Sequence, residues 1–171
     1  AHYITQYFLS ISSSYDSPTP AGGWFDAGVS ITASVTSPTP GSAGTQYVCT
    51  GWSGTGSVPA SGSVSSVAFV ISQPSSITWN WKAQYQVTFG ANTGSDFTGT
   101  VLVVDGINYR VNTLPVTLWL DGGSHFFAFQ SPLVVTTNAK QYVWTSTTGL
   151  STSQSDAITI ATSGSITADY K

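Results

Sequence analysis

Along residues 76–89, SITWNWKAQYQVTF, the odd positions Ile77, Trp79, Trp81, Tyr85, Val87 and Phe89 are large and apolar, while most even positions are small or polar. That alternation is the period-two signature of a strand with one buried face. No Gly, Pro or Asp interrupts it, and its fourteen residues are about twice the usual strand length. Shorter alternating runs predict further strands at roughly 3–12, 29–36, 45–52, 66–72, 100–104, 107–112, 115–120, 124–130, 133–136, 141–146, 157–161 and 165–170. Turn-forming clusters such as Ser37-Pro38-Thr39-Pro40 separate them. No window carries a helical period. The pattern predicts an all-β protein, and two small immunoglobulin-like β-sandwiches are the natural way for so many short amphipathic strands to bury one face each.

The two halves of the chain echo each other in order. TQYFLSI from Thr5 returns as AQYQVTF from Ala83, and WFDAG at Trp24 returns as WLDGG at Trp119. QYVCTGWSGTGS from Gln46 returns as QYVWTSTTGLST from Gln141, and SSITWNWK ending at Lys82 returns as GSITADYK ending at Lys171. The second half carries an extra stretch, FTGTVLVVDGINYRVNTLPV, with a hairpin signal at Asp105-Gly106. Two tandem domains are therefore expected, 1–82 and 83–171. The long strand is then the last strand of one domain running into the first strand of the next, a stiff junction with no flexible linker.

Charged residues make up 6% of the chain, all seven acidic residues are Asp, Met is absent, and Ser plus Thr account for 51 of 171 residues. With 40% hydrophobic residues a sizeable core is possible and disorder is not expected. The four basic residues, Lys82, Arg110, Lys140 and Lys171, are scattered, so no nucleic-acid partner is expected. No apolar run approaches a membrane span of about twenty residues. Cys49 is the single cysteine, which rules out an internal disulfide and a multi-cysteine zinc site. Its repeat partner is Trp144, so an inert, buried thiol is expected. The chain opens on Ala1 and not Met, which a processed mature chain and a trimmed one would share. A hydroxyl-rich surface poor in Lys and Glu suits the outside of a cell, and the low-charge, Met-free composition fits a hot acidic habitat.

GGWFDAGVSITASVTSP, YVCTGWSGTG and SSITWNWKAQY resemble the tandem surface repeats of secreted archaeal and bacterial proteins, related to the divergent Listeria/Bacteroides repeat. The likeness covers about residues 5–85 well and 86–171 more weakly. It implies cell-surface architecture and brings no catalytic residues.

Candidate chemistry is sparse. Asp26-Ala27-Gly28, Asp105-Gly106 and Asp121-Gly122-Gly123 read as turns, and GWSGTG at Gly51 does not have the spacing of a nucleophile elbow. Ser124 and His125 beside Asp121 suggest a triad, but neighbours on a strand point to opposite faces. His2 and His125 are too far apart in sequence to suggest zinc, and Asp105, Asn108 and Asp121 would form a calcium site only if the fold gathered them. Lys82, Lys140 and Asn80 are the side chains for an isopeptide cross-link. No cofactor, resident metal or enzyme activity is expected. Trp24, Trp52, Trp79, Trp81, Trp119 and Trp144 are expected mainly as core plugs, although an exposed Trp79 and Trp81 pair would offer a sugar or partner surface.

The expectation that follows is a structural subunit of an extracellular filament or surface appendage, a homopolymer built head to tail by strand complementation. Residues 3–12 lack the Lys, Pro or bulges that usually guard an edge strand. Tyr3, Tyr7, Phe8, Leu9, Ile11, Trp79, Trp81, Ile166 and Tyr170 are the expected subunit-contact residues. The alternative is a monomeric adhesin or carbohydrate-binding module with cell-surface or glycan ligands.

Overall fold

The long alternating stretch forms one uninterrupted strand, Ser75–Asn92, in the computed structural model of the chain, which describes residues 1–171. Before it come β1 (Gln6–Ser12), β2 (Gly23–Asp26), β3 (Ser30–Ser34), β4 (Thr39–Pro40), β5 (Thr45–Thr55), β6 (Ser61–Gly62) and β7 (Ser66–Val70), so the long strand is β8. After it come β9 (Thr100–Val104), β10 (Ile107–Arg110), β11 (Val116–Asp121), β12 (Gly123–Phe129), β13 (Leu133–Thr136), β14 (Lys140–Tyr142), β15 (Trp144–Gly149), β16 (Ser155–Ile160) and β17 (Gly164–Tyr170). The chain is all-β, with one 3-10 turn at Val111–Thr113. It divides into two compact units, Ala1–Gly41 with Gln46–Ala83, and Ser42–Thr45 with Gln84–Lys171. The first half of β8 belongs to one unit and the second half to the other.

In the first unit, β1 lies between β2, antiparallel, and β8, parallel, and β5 pairs with β8 and carries the short strands β4 and β6. β3 and β7 form a second, two-stranded sheet. Leu9, Ile77, Trp79 and Trp52 from the larger sheet meet Ile31, Ala33, Val67 and Phe69 from the smaller one in a single core. In the second unit, β8 lies between β11, antiparallel, and β17, parallel, with β15 beside β17. Its second sheet runs β10-β9-β12-β16, and β13 and β14 form a separate hairpin. Val87, Phe89, Ile166 and Leu120 pack against Leu102, Val104, Phe127, Phe129 and Ile160.

The sequence repeat survives as a repeat of register. Leu9 sits opposite Ser75 and Ile11 opposite Ile77, just as Val87 sits opposite Gly164 and Phe89 opposite Ile166. On the other side Phe8 faces Trp24 and Gln6 faces Asp26, as Gln86 faces Trp119 and Gln84 faces Asp121. The Gln6 amide donates to Asp26 Oδ1 at 2.8 Å, and the Gln84 amide donates to Asp121 Oδ1 at 2.8 Å. A serine that no sequence block contained is also duplicated: Ser37 Oγ accepts the Cys49 N–H at 2.9 Å, and Ser131 Oγ accepts the Trp144 N–H at 3.0 Å.

Core volume is exchanged between the repeats in a compensating way. The first unit has small Cys49 and large Trp52 and Trp79, whose rings meet edge to face at 5.8 Å. The second unit has large Trp144 with small Thr147 and Ala168, and the Trp144 indole N–H donates to Thr147 Oγ1 at 3.0 Å. Close packing demands such trading, because neither a void nor an overlap is tolerated cheaply. Cys49 is accordingly half-buried rather than sealed, with its Sγ against the backbone of Gly51.

The extra stretch of the second half forms the expected hairpin, turning at Asp105 (φ 48°) and Gly106 (φ 82°), the pair of left-handed residues a tight two-residue turn requires. β9 covers the edge of β12, with Ala128 opposite Val103. In the first unit a loop does the same work at two points: Thr19 exchanges two backbone hydrogen bonds with Ser34, and Asp16 Oδ2 accepts the Thr36 N–H.

Candidate functional site

β1 is an interior strand of its sheet, paired on both sides, and not the unguarded edge that its composition suggests. Alternation then divides its side chains between core and solvent. Leu9 points inward and is 0% exposed, and Tyr7 and Ile11 are half-buried against the same core. Phe8 points outward and packs edge to face on Trp24 at 5.4 Å between ring centroids. Trp24 is 66% exposed and Tyr3 90% exposed, with Ile4 also exposed. Of the expected contact residues, Leu9, Trp79 and Ile166 are therefore core residues in this structure, while Tyr3 and Phe8 lie on the surface.

Trp81 is half-buried; its indole N–H donates to Ser13 Oγ at 3.2 Å and its ring meets Tyr15, which stacks on Tyr47. Trp79 and Trp81 thus form no exposed pair. Tyr170 packs against the second core and donates to the Gln130 carbonyl at 2.8 Å, and burial pushes its phenol well above the ordinary value. The expectation of tryptophans mainly in the core fails for Trp24 and for its repeat equivalent Trp119, 40% exposed. Both occupy the outward phase of a strand next to the Gln–Asp pair, so WFD and WLD each combine an outward Trp, an inward apolar residue and an outward Asp. The duplicated Trp-x-Asp was the available signal.

Two polar clusters carry the electrostatics, both in the second unit. His125 Nδ1 lies 2.6 Å from Asp105 Oδ2, and its Nε2 lies 2.9 Å from the Asp121 carbonyl oxygen. Asp105 Oδ1 also accepts the Phe126 N–H at 2.9 Å. The ring joins the β9–β10 turn to the β11–β12 turn, and with two acceptors facing its two nitrogens the imidazolium is the form that satisfies both. Burial pushes the His125 pKa down, but Asp105 and the Asp121 carbonyl outweigh that and raise it. For Asp105, burial pushes upward and is outweighed by the His125 hydrogen bond and the Phe126 N–H, which leave it lowered. Neither ring nitrogen is left to activate Ser124, which points away from His125 along β12. Of the residues considered for calcium, Asp105 meets this imidazole with its carboxylate, whereas Asp121 meets it only through its main-chain carbonyl and turns its carboxylate to the Gln84 amide.

In the other cluster Asp96 accepts from Lys140 Nζ and from Tyr142 Oη, each at 2.7 Å, and Lys140 stands 5.0 Å from the Tyr142 ring centroid. The Lys140 hydrogen bond lowers the Asp96 pKa, and Asp96 raises that of Lys140. Both side chains are about half exposed, so the pair is a solvated bridge rather than the enclosed Lys–Asn site an isopeptide bond needs. Asn80 donates to Ser53 Oγ at 3.4 Å. A surface hollow of about 500 Å3 beside Ile11–Ser13, Asp16–Pro18, Ala21 and Gly22 offers one carboxylate, Asp16, whose Oδ2 already accepts the Thr36 N–H. No helix is long and apolar enough to cross a membrane.

Comparison with protein-family models, curated proteins and solved structures finds no match to this chain. The functional reading rests on the residues and the geometry above.

Proposed function

We infer that the chain is a structural subunit of an extracellular filament or surface appendage, built from two tandem immunoglobulin-like β-sandwiches and assembling with copies of itself by strand complementation. The observation that carries this reading is the identity of the two slots in the repeat. In the second unit the slot between β11 and β17 is filled by a strand arriving from the preceding repeat, along β8. In the first unit the equivalent slot, between β2 and β8, is filled in the same register by β1. The junction strand thus already performs, inside one chain, the step that joins copies when β1 of one molecule enters the slot of another.

In that polymer Leu9 and the inward faces of Tyr7 and Ile11 keep the core positions they have here, supplied across the contact, and main-chain hydrogen bonds follow the same ladder. Phe8 on the entering strand, with Tyr3 and Ile4 just before it, and Trp24 on the neighbouring β2 are the exposed apolar residues at this contact. A heterologous contact of this kind repeats into an open helical array. The hydroxyl-rich, charge-poor composition and the likeness to surface repeats support an extracellular setting. The test is a peptide spanning residues 1–13 added in excess during assembly: it is expected to occupy the slot and shorten or abolish filaments. Filaments unaffected by the peptide and by removal of residues 1–12 would rule out strand complementation.

A further inference from the structure

The repeat that unites the two units also exposes where they diverge. On the outward face of β1 and β2 the central cross-strand pair is Phe8 with Trp24, two rings packed on each other. At the same register in the second unit the pair is Gln86 with Trp119, so the indole there has an amide beside it in place of a ring. Flanking it on one side is Gln84 with Asp121, joined at 2.8 Å, and on the other Thr88 with Thr117, whose hydroxyls are 2.9 Å apart. These six residues share one face because each pair is two positions from the next. The result is an indole surrounded by amides, hydroxyls and a carboxylate.

We propose that this face of β8 and β11 binds a neutral glycan, with Trp119 as the stacking platform. An exposed indole presents an apolar, polarisable face to the axial C–H groups of a pyranose, while its surroundings must satisfy hydroxyls that both donate and accept. Gln86 supplies both kinds of group, and Thr88 and Thr117 likewise, while Gln84 and Asp121 are bonded to each other at the end of the track. None of the six is basic, and the one cation on this phase of β8, Lys82, lies two positions before Gln84 at the end of the track, so the stretch around Trp119 itself does not favour sulfated or uronic sugars or a phosphate backbone. Successive pairs along the strands are about 7 Å apart, which gives a track of roughly 13 Å, the length of about two to three pyranose rings. On the outward face of the first unit Trp24 is more exposed than Trp119, 66% against 40%, but its cross-strand partner is the Phe8 ring, which offers no hydrogen bond to a sugar hydroxyl where the second unit has the Gln86 amide. The site is carried by the second unit alone and does not rest on the filament reading.

The experiment is titration of the full chain with neutral gluco- and manno-oligosaccharides, followed by the indole N–H resonances in a two-dimensional NMR spectrum and by calorimetry. Saturable binding is expected that shifts the Trp119 resonance and leaves that of Trp24 in place. Trp119→Ala is expected to weaken binding by at least about tenfold with an unchanged urea midpoint. Gln86→Phe, which rebuilds the first unit's pair, is expected to weaken it while keeping the fold. Trp24→Ala is expected to bind as the wild type. Absence of saturable binding tighter than about 1 mM, undiminished binding by Trp119→Ala, or binding confined to sulfated glycans and lost in salt would each overturn the proposal.

Discussion

Leu9 and Phe8 are neighbours on β1 with opposite fates, and replacing each by Ala separates what holds the first unit together from what it presents outward. Leu9 is 0% exposed, enclosed in a core that includes Ile77, Ile31 and Phe69. A buried Leu→Ala change costs about 2–5 kcal/mol, the transfer term plus that of the cavity left behind. Here the upper half of that range is expected, because β1 is held on both sides by ladders and cannot move in to fill the space. Phe8 loses its edge-to-face contact with Trp24, about 0.5–1.5 kcal/mol, and little buried area, since it is 44% exposed. Urea unfolding followed by tryptophan fluorescence reads both, with Trp52 and Trp79 reporting from the core Leu9 occupies. The midpoint of Leu9→Ala should fall much further than that of Phe8→Ala, with an unchanged m-value. Equal midpoints, or a Leu9→Ala cost below about 1 kcal/mol, would refute the placement of β1 as an interior strand.

The remaining predictions concern charge, packing and assembly. Because the His125 pKa is raised, its contribution is fully present below its ordinary value and is lost as pH rises through the folded value. The lowered Asp105 contributes above its ordinary value and loses that as pH falls through its folded one. Wild type should therefore exceed His125→Asn in stability by about 1 kcal/mol or less in mild acid, and the gap should close in alkali; a gap widening with pH would contradict the two-acceptor geometry. With seven carboxylates in the chain, little stability is lost to their protonation, and circular dichroism should retain the β signal down to about pH 2, well below the ordinary Asp pKa of about 4. Rebuilding the second unit's pair in the first, Cys49→Trp with Trp52→Thr, should cost less than the sum of the single changes, measured as a double-mutant cycle by urea unfolding. Strict additivity would mean the two slots do not share volume. Trp24→Ala with Phe8→Ala should leave the subunit folded by circular dichroism but reduce filament formation in negative-stain images.

The repeat of register was legible because each repeat block keeps its apolar phase, and TQYFLSI against AQYQVTF already aligned Leu9 with Val87 and Ile11 with Phe89. The hairpin at Asp105-Gly106 was legible because left-handed turn residues are chemically distinctive. The neighbours of β1 were not legible. Its parallel pairing with β8 joins Leu9 to Ser75, and local pattern carries no information about such a distant partner, so a strand without edge guards looked like a free edge. The outward Trp24 escaped notice for a different reason: β2 has four residues, GWFD, too few alternations to say which of Trp24 and Phe25 faces the core. Asp16 and Thr19 lie in a loop, and their capping of β3 depends on tertiary contact that periodicity cannot report.

The most direct test of the filament reading is electron microscopy of the full chain, alone and with the residue 1–13 peptide. Ordered filaments that disappear when the peptide is present are expected. Uniform single particles under all conditions, at concentrations where the chain is folded, would contradict the filament reading.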